Sequence, residues 1–333
     1  MPWTSCKRWS PLIAVCTFIT LANFKIKIIT TEHSTMEPSE FSSSYLQQRT
    51  SLDDDYHKLI NLTDFNFQLL VNCSQEEGPL VVVVHSAPTR AGHRSAIRAS
   101  WGSSHVKVVF MLGAVTNETL QRSLEDEGRQ HGDLVQGSFY DTYRNLTYKH
   151  VMAFKWLNYH CRGPKFILKT DDDIFLNLPS VSELIRNDSF PSDHIICHYN
   201  LMNRPSRSWR NKWRVSPLEY KDTFYPHYCN GWLVLYSNKT AKKLYTLAQQ
   251  EPYFWIDDLL ITGFLAKKAG LHHFSTRPWL LDWQMSEDII RNGSCPYDKD
   301  CKKFIFGPSE LDPEQIVLLW KILAISNNTG DDT

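Results

Sequence analysis

Apolar runs and amphipathic segments alternate through the middle of this chain, from residue 80 to residue 173. Four segments have the short, apolar character of buried strands: residues 80–85, 106–112, 133–139 and 165–169. Three further segments predict helices: residues 94–101, 117–130 and 145–160. Strands that alternate with helices are typical of an α/β fold, so we expect a mostly parallel sheet flanked by helices.

An uncharged apolar run, residues 9–24, lies near the N-terminus with basic residues on both sides. As a helix it would span about 24 Å at ~1.5 Å per residue, which suits a thin early-secretory bilayer. The pattern predicts a signal-anchor transmembrane helix over residues 9–29 and a cytoplasmic tail over residues 1–8. The alternative is a cleaved signal peptide, but no clear small-x-small cleavage motif follows the run.

The segment that follows the apolar run differs in composition from the rest of the chain. Residues 30–78 are rich in Ser, Thr, Gln and acidic residues, and they show little hydrophobic periodicity. Such a composition is typical of a segment that does not bury a core of its own. We therefore expect a stem over residues 30–78 and one globular domain over residues 79–333.

Glycosylation motifs and cysteines indicate that this domain lies in the lumen of the secretory pathway. Asn-x-Ser/Thr motifs occur eight times, at Asn61, Asn72, Asn117, Asn145, Asn187, Asn238, Asn292 and Asn327. Six cysteines follow the apolar run: Cys73, Cys161, Cys197, Cys229, Cys295 and Cys301. An even number in an oxidising compartment predicts three disulfides, with Cys295–Cys301 as the best local pair. Six free buried thiols are the alternative.

Charge and composition restrict the class of partner. Lys and Arg total 36 and Asp and Glu also total 36, so this neutral chain without a long basic stripe gives little reason to expect nucleic acid. The 333 residues, 42% of them hydrophobic, suffice for a large core. The aromatic content of 13% suits sugar-binding faces and ordinary core packing alike.

An acidic cluster, Asp171-Asp172-Asp173, follows the fourth predicted strand directly. Ligands of α/β sheets bind beyond the carboxyl ends of the strands, and adjacent carboxylates there repel one another unless a cation lies between them. Mn²⁺ or Mg²⁺ prefers such oxygen ligands and leaves positions for phosphates. The pyrophosphate of a nucleotide-sugar could occupy those positions. We expect Asp171 and Asp173 to bind the metal, and Asp171 and Asp172 to lie beside the nucleotide-sugar. A solvated acidic turn is the alternative.

Several segments in order resemble the β-1,3-galactosyltransferase and β-1,3-N-acetylglucosaminyltransferase family, known as glycosyltransferase family 31. The segments that carry the resemblance are Arg94–Gly102, Phe110–Gly113, Asp141–Lys149, Asp171–Asp173, Lys212–Ser216 and Tyr225–Gly231. Each motif is weak alone, but together they are strong because order and spacing agree from about residue 79 to residue 270. The resemblance implies a GT-A fold, a UDP-sugar donor and an inverting reaction at a divalent metal.

The resemblance also implies a general base that takes the proton from an acceptor hydroxyl. In relatives this base lies in a Glu-Asp-Val-x-x-Gly segment, to which Asp257-Asp258-Leu-Leu-Ile-Thr-Gly263 is similar. Asp257 replaces the Glu here, and one extra residue precedes the glycine. We expect Asp258 to be the base and Asp257 to be the second candidate. Acidic residues that complement a helix dipole are the alternative.

Three basic residues are implied to contact the nucleotide-sugar: Arg94, Arg98 and Lys149. The two arginines are four residues apart and would share one helix face, and Arg suits phosphate geometry. Salt bridges on the helix surface are the alternative for Arg94 and Arg98, and solvation is the alternative for Lys149.

Aromatic residues in the later segments are implied to stack on the acceptor sugar: Trp213, Tyr225 and Tyr228. Core packing is the alternative for all three. The same segments are most similar to the galactosyltransferase branch, which favours UDP-galactose as donor and a glycan on glycoprotein or glycolipid as acceptor. UDP-N-acetylglucosamine as donor, or a catalytically inactive glycan-binding relative, are the alternatives. With the anchor, the resemblance implies a single-pass type II Golgi membrane protein.

Overall fold

The computed structural model describes residues 55–73, 78–103, 105–186, 190, 193–295 and 304–325. The predicted tail, the predicted anchor and the first part of the predicted stem lie outside these residues. Within the described ranges, no helix is both long enough and apolar enough to cross a membrane.

Eight strands and eight α-helices are found in the described ranges. The strands are β1 (Phe67–Leu69), β2 (Leu80–His85), β3 (Lys107–Ala114), β4 (Leu134–Tyr140), β5 (Phe166–Asp171), β6 (His194–Asn200), β7 (Tyr228–Ser237) and β8 (His272–Ser275). The helices are α1 (Ala91–Arg98), α2 (Glu118–His131), α3 (Leu146–His160), α4 (Leu178–Arg186), α5 (Asn238–Ala248), α6 (Ala266–Lys268), α7 (Trp283–Asn292) and α8 (Pro313–Ile325). A π-helix, Leu259–Leu265, leads into α6.

All strands belong to one sheet with the order β1-β4-β3-β2-β5-β7-β6-β8. The four predicted strands are β2, β3, β4 and β5, and they lie side by side in parallel. The sheet as a whole is mixed, because β1 joins β4, and β7 joins both β5 and β6, in antiparallel pairs. The expected parallel sheet is therefore the centre of a wider mixed sheet.

Strand β2 explains why a continuous apolar run is needed at the centre. Successive side chains of a strand point to opposite faces. Val81 and Val83 belong to the core that α3 and α5 cover, whereas Val82 and Val84 belong to the core on the other face. All four are fully buried, so a polar side chain at any of these positions would be removed from solvent.

The N-terminal boundary of the domain differs from the expectation. Residues 55–73 pack onto the body, where Leu59 and Phe65 are fully buried and β1 pairs with β4. The buried ammonium of Lys155 in α3 donates hydrogen bonds to the carbonyl oxygens of Asp55 (2.6 Å) and Lys58 (3.0 Å). The predicted start of the body at residue 79 is therefore too late, because this segment supplies part of the core.

Two of the expected disulfides join described residues. Cys73 pairs with Cys161, which ties the N-terminal segment to the end of α3, and Cys197 pairs with Cys229, which joins β6 to β7. Cys295 is also in a disulfide. Its predicted partner, Cys301, lies outside the described residues.

The N-terminal segment should contribute measurably to stability. Phe65 is 0% exposed, so Phe65→Ala should lower the free energy of unfolding by about 3–5 kcal/mol. Leu70 lies a few residues away but is 42% exposed, so Leu70→Ala should change it by no more than about 0.5 kcal/mol. Denaturant unfolding of both variants measures the difference, and equal losses would contradict the packing described above.

Candidate active site

A cavity of about 610 Å³ opens at the edge of the sheet where β2 and β5 end. Because β7 runs antiparallel to β5, the first residues of β7 lie at this same edge. The lining includes His85 from β2, Asp171 from β5 and Gly231 from β7. The cavity therefore occupies the position at which open α/β sheets bind their ligands.

A buried lysine, Lys169 of β5, lies at the centre of the site. Its ammonium donates hydrogen bonds to Asp171 Oδ1 (2.8 Å) and to the carbonyl oxygen of Gly231 (2.9 Å). Burial lowers the pKa of Lys169, but the charges of Asp171, Asp258 and Asp257 outweigh burial and raise it. Lys169 is therefore a permanent cation among carboxylates that come from separate parts of the chain.

The two adjacent carboxylates just before the π-helix have different environments. Asp257 Oδ2 lies 3.0 Å from Nδ1 of His150, whose Nε2 lies 3.2 Å from the hydroxyl of Tyr236. Burial raises the pKa of Asp257, but the hydrogen bond with His150 and the charge of Lys169 outweigh burial and lower it. Asp257 is therefore an ionised carboxylate that already has a protein partner.

Asp258, unlike Asp257, has no histidine partner for its carboxylate in the described part of the chain. Both Asp257 and Asp258 line the cavity, but Oδ1 of Asp258 is buried and has no hydrogen-bond partner among the described residues. Burial and the adjacent charge of Asp257 raise its pKa well above the usual value, although Lys169 partly opposes them. A proton acceptor with a raised pKa and a free oxygen is suited to general base catalysis.

The extra residue in this segment coincides with the π-helix Leu259–Leu265. A π-helical turn inserts one residue into a helix and is often found at functional sites. Thr262 fixes the segment, because its hydroxyl bonds the carbonyl oxygen of Asp258 and accepts the amide hydrogen of Cys229. The extra residue therefore lies after Asp258, and Asp257 and Asp258 both line the cavity.

The aspartate triplet is only partly open to the cavity. Asp171 and Asp173 line it, whereas Asp172 is buried and is 3.2 Å from Nε of Arg90. Burial, with the charges of Asp171 and Asp172, raises the pKa of Asp173 to about 6. Oδ2 of Asp172 has no hydrogen-bond partner among the described residues. The triplet thus has oxygen ligands and an unbalanced negative charge, which fit a hard divalent cation.

A second group of side chains could also hold a metal. Ligand atoms of His150, Asp257 and Asp258 lie within 4.8 Å of one another, and within the described ranges no other set of three His, Cys, Asp or Glu residues meets this spacing. However, both ring nitrogens of His150 are already engaged, with Asp257 and with Tyr236. Metal ligation by His150 would require one of these contacts to break, so we favour Asp171 and Asp173.

The basic residues that the sequence assigned to the nucleotide-sugar do not line this cavity. Arg94 is fully buried and forms a bidentate pair with Glu127, which also pairs with Arg98. Arg98 binds Asp133 as well, at 2.7 Å. For both arginines the structure shows the salt-bridge alternative, because the carboxylates of α2 and of the residue before β4 occupy both guanidinium groups.

Lys149 likewise has protein partners. Its ammonium is buried, donates to the carbonyl oxygen of Ser86 at 2.6 Å and lies 2.8 Å from Oδ2 of Asp141. The same Asp141 oxygen accepts the amide hydrogen of Gly113. Lys149 therefore joins the residues that follow β2 and β4, the two strands on either side of β3, and it is neither solvated nor in the cavity lining.

The three aromatic residues assigned to the acceptor do line the cavity together. Trp213 is 47% exposed and its indole nitrogen donates to the hydroxyl of Tyr143, which also lines the cavity. Tyr225 is largely buried, and Tyr228 accepts a hydrogen bond from Asn203 at 3.2 Å. Two further rings, Tyr143 and Trp255, join them in the wall of the cavity.

Sequence reasoning missed several residues of this site. Gly231 ends a motif already singled out. Lys169 ends the fourth predicted strand, and a Lys at the end of an apolar run that leads into three aspartates is a signal that could have found it. His150 and His85 carry no such signal, because their place depends on how α3 and β2 pack. Glu310 also lines the cavity, and its backbone N–H donates a hydrogen bond to the carboxylate of Asp173.

Comparison with known proteins identifies a family and several relatives of this chain. Residues 92–277 match the family described as Galactosyltransferase. Beta-1,3-galactosyltransferase 5 of Homo sapiens is 31% identical over 277 residues, 81% of this chain and 86% of that protein. Beta-1,3-galactosyltransferase 1 of Mus musculus is 25% identical over 266 residues, 77% of this chain and 78% of that protein. The solved structure of the galactosyltransferase LgtC with sugar analogues matches 68% of this chain and 84% of that chain, with 10% identity and a TM-score of 0.36.

The α/β fold with an acidic cavity at its strand ends, taken with these matches, defines the class of protein as a hexosyltransferase. Within that class, the chain belongs to the galactosyltransferase family, as the sequence motifs predicted.

Gly231 gives a direct test of the site geometry. A Cβ at this position would lie 2.7 Å from both Asp258 Oδ1 and Lys169 Nζ, which are the movable ends of side chains. Gly231→Ala should therefore leave the fold intact but displace both groups, with a loss of about 10²-fold in the rate of sugar transfer. In the control Gly163→Ala nothing lies within 4 Å of the new Cβ, and rate and melting temperature should be unchanged. Full activity of Gly231→Ala would contradict the arrangement.

Proposed function

We propose that this chain is an inverting β-1,3-galactosyltransferase of GT-A type that transfers galactose from UDP-galactose to a glycan acceptor. The observation that carries the proposal is the shared cavity of Asp258, Asp171 and Asp173. One carboxylate with a raised pKa and a free oxygen is thereby combined with carboxylates that suit a cation. Single-displacement sugar transfer to a hydroxyl group needs both functions in one place.

In this proposal, Asp258 accepts the proton of the acceptor hydroxyl while the bond between sugar and phosphate breaks. Asp257 does not serve as the base, since its carboxylate is held by His150. The charge of Lys169 opposes the rise in the pKa of Asp258 and so favours the ionised form that accepts the proton. The aromatic residues Trp213, Tyr225 and Tyr228 orient the acceptor sugar by stacking on its apolar face.

Asp171 and Asp173 would hold a Mn²⁺ or Mg²⁺ ion, with Asp172 beneath them next to Arg90. When bound, the cation supplies charge stabilisation for the departing UDP diphosphate. Asp171 also bonds Lys169, so the metal ligands and the base share one cationic neighbour. Arg90 lies 3.5 Å from Asp173 and balances part of the charge of the triplet.

The names of the relatives support galactose as the sugar. UDP-N-acetylglucosamine is the alternative donor. The apolar run at residues 9–24, the glycosylation motifs and the disulfides support a type II Golgi membrane protein with a luminal catalytic domain.

A panel of UDP-sugars tests this function. Purified full-length chain should transfer galactose from UDP-galactose to an oligosaccharide acceptor, with inversion to a β-1,3 linkage in the product. EDTA should abolish transfer and Mn²⁺ should restore it. Linkage analysis identifies the product. Transfer of N-acetylglucosamine instead of galactose would show that UDP-N-acetylglucosamine is the donor.

Asp258→Asn and Asp257→Asn provide matched controls, since each removes one charge. Asp258→Asn should lower transfer by about 10²–10⁴-fold while UDP affinity is kept, as expected for loss of a general base. Asp257→Asn should retain more activity than Asp258→Asn. If instead Asp257→Asn is the inactive variant and Asp258→Asn is active, the roles are reversed. Absence of UDP and Mn²⁺ binding by the folded wild type contradicts the whole proposal.

A further inference from the structure

A basic and aromatic segment joins the end of β6 to the start of β7, and we refer to residues 201–224 as the connecting loop. It contains six Lys or Arg residues and two acidic residues, Glu219 and Asp222. Because β6 and β7 pair at Asn200 and Tyr228, the loop leaves from and returns to the edge of the sheet that carries the cavity. A concentration of positive charge thus lies beside the site in a chain of zero net charge.

Most cations of the connecting loop have no carboxylate partner in the part of the chain that the structure describes. Within the described ranges, no Asp or Glu forms a salt bridge with Arg204, Arg210, Lys212 or Arg214. Arg207 differs, since it donates to the carbonyl oxygens of Val215 and Tyr220, both at 2.8 Å, and so holds the loop together. One arginine therefore shapes the loop, while the other cations are available to an external anion.

These cations are held against exposed aromatic rings. The guanidinium of Arg214 lies 3.3 Å from the ring centre of Trp209, and the ammonium of Lys212 lies 4.3 Å from that of Trp213. Trp209 is 84% exposed, so its ring does not pack in the core. Cations stacked on exposed rings are fixed in position but keep their outward-facing donors.

The loop is continuous with the exposed part of the cavity lining. Arg204, Lys212 and Trp213 line the cavity itself, together with the partly buried acidic residues Asp171 and Asp258. The aromatic rings suit the faces of a sugar, and the neighbouring cations suit a substituent that carries negative charge. A lipid surface would account for the exposed rings, but not for their continuity with an enclosed site.

We propose that the connecting loop selects acceptor glycans that carry an anionic substituent, a sulfate or a carboxylate, beyond the sugar that receives the transferred hexose. This inference rests on the proposed function, since it names the class of acceptor for that same site. Arg210 and Lys212 provide the charge, and Trp209 and Trp213 provide the faces on which the glycan stacks.

The test compares two probes that differ only in charge. A 6-O-sulfated N-acetyllactosamine hexasaccharide and the same hexasaccharide without sulfate are titrated calorimetrically into the full-length chain with UDP and Mn²⁺ present. The sulfated form should bind about tenfold or more tightly, and added salt should reduce the difference. The double variant Arg210→Gln with Lys212→Gln should bind the two probes with equal affinity, so that the preference for the sulfated probe is lost whatever the change in affinity for the neutral one. A sialylated hexasaccharide shows whether a carboxylate serves as well.

The control removes the same charge elsewhere. Lys239→Gln with Lys242→Gln alters two exposed lysines of α5 outside the cavity lining and should keep the preference. Equal binding of both probes to the wild type, or a preference that survives in the Arg210 and Lys212 variant, overturns the proposal. Binding of phosphatidylserine vesicles through these residues, without any preference among the glycans, replaces it with a membrane contact.

A UDP titration separates this inference from the proposed function. Weaker UDP binding by the Arg210 and Lys212 variant would assign the loop to the diphosphate and overturn the acceptor role. If the wild type binds the sulfated probe more tightly but transfers no galactose, the proposed function fails while the anionic preference stands.

Discussion

The site depends on several carboxylates that surround one buried lysine at the end of the central strands. Asp171, Asp257 and Asp258 all raise the pKa of Lys169, and they come from segments about 90 residues apart. Removing charges from water is costly unless they are paired, so each group constrains the others. Asp257 has a second partner in His150, which leaves Asp258 with the unbalanced charge and the raised pKa.

The centre of the fold could be predicted because its signals are local. The run Leu80–His85 is apolar on both faces, and it became the central strand with the predicted bounds. The mixed outer part of the sheet could not be predicted, since β7 contains polar residues near the cavity and pairs with strands distant in sequence. The polar composition of residues 55–73 led to the prediction that they belong to a stem, although Phe65 packs in the core.

For the site, motifs identified carboxylates more reliably than cations. Asp171 and Asp258 both line the cavity, and each stands in a short acidic motif that can be seen in the sequence itself. Arg94 and Arg98 share the predicted helix face, but their partners, Glu127 and Asp133, lie about 30 residues further on and gave no sequence signal. His150 was missed for the same reason, because only the packing of α3 brings it to Asp257.

The pH dependence of kcat/KM for sugar transfer, measured at saturating Mn²⁺, tests the central claim most directly. Asp258 must be ionised to act as a base, so a raised pKa means that activity is present above this pKa and is lost as the pH falls through it. The account predicts an acidic limb well above the usual range of an aspartate, moved further upward in Lys169→Met, which lacks the charge that opposes the shift. An acidic limb at the ordinary aspartate value, unchanged in Lys169→Met, would contradict it.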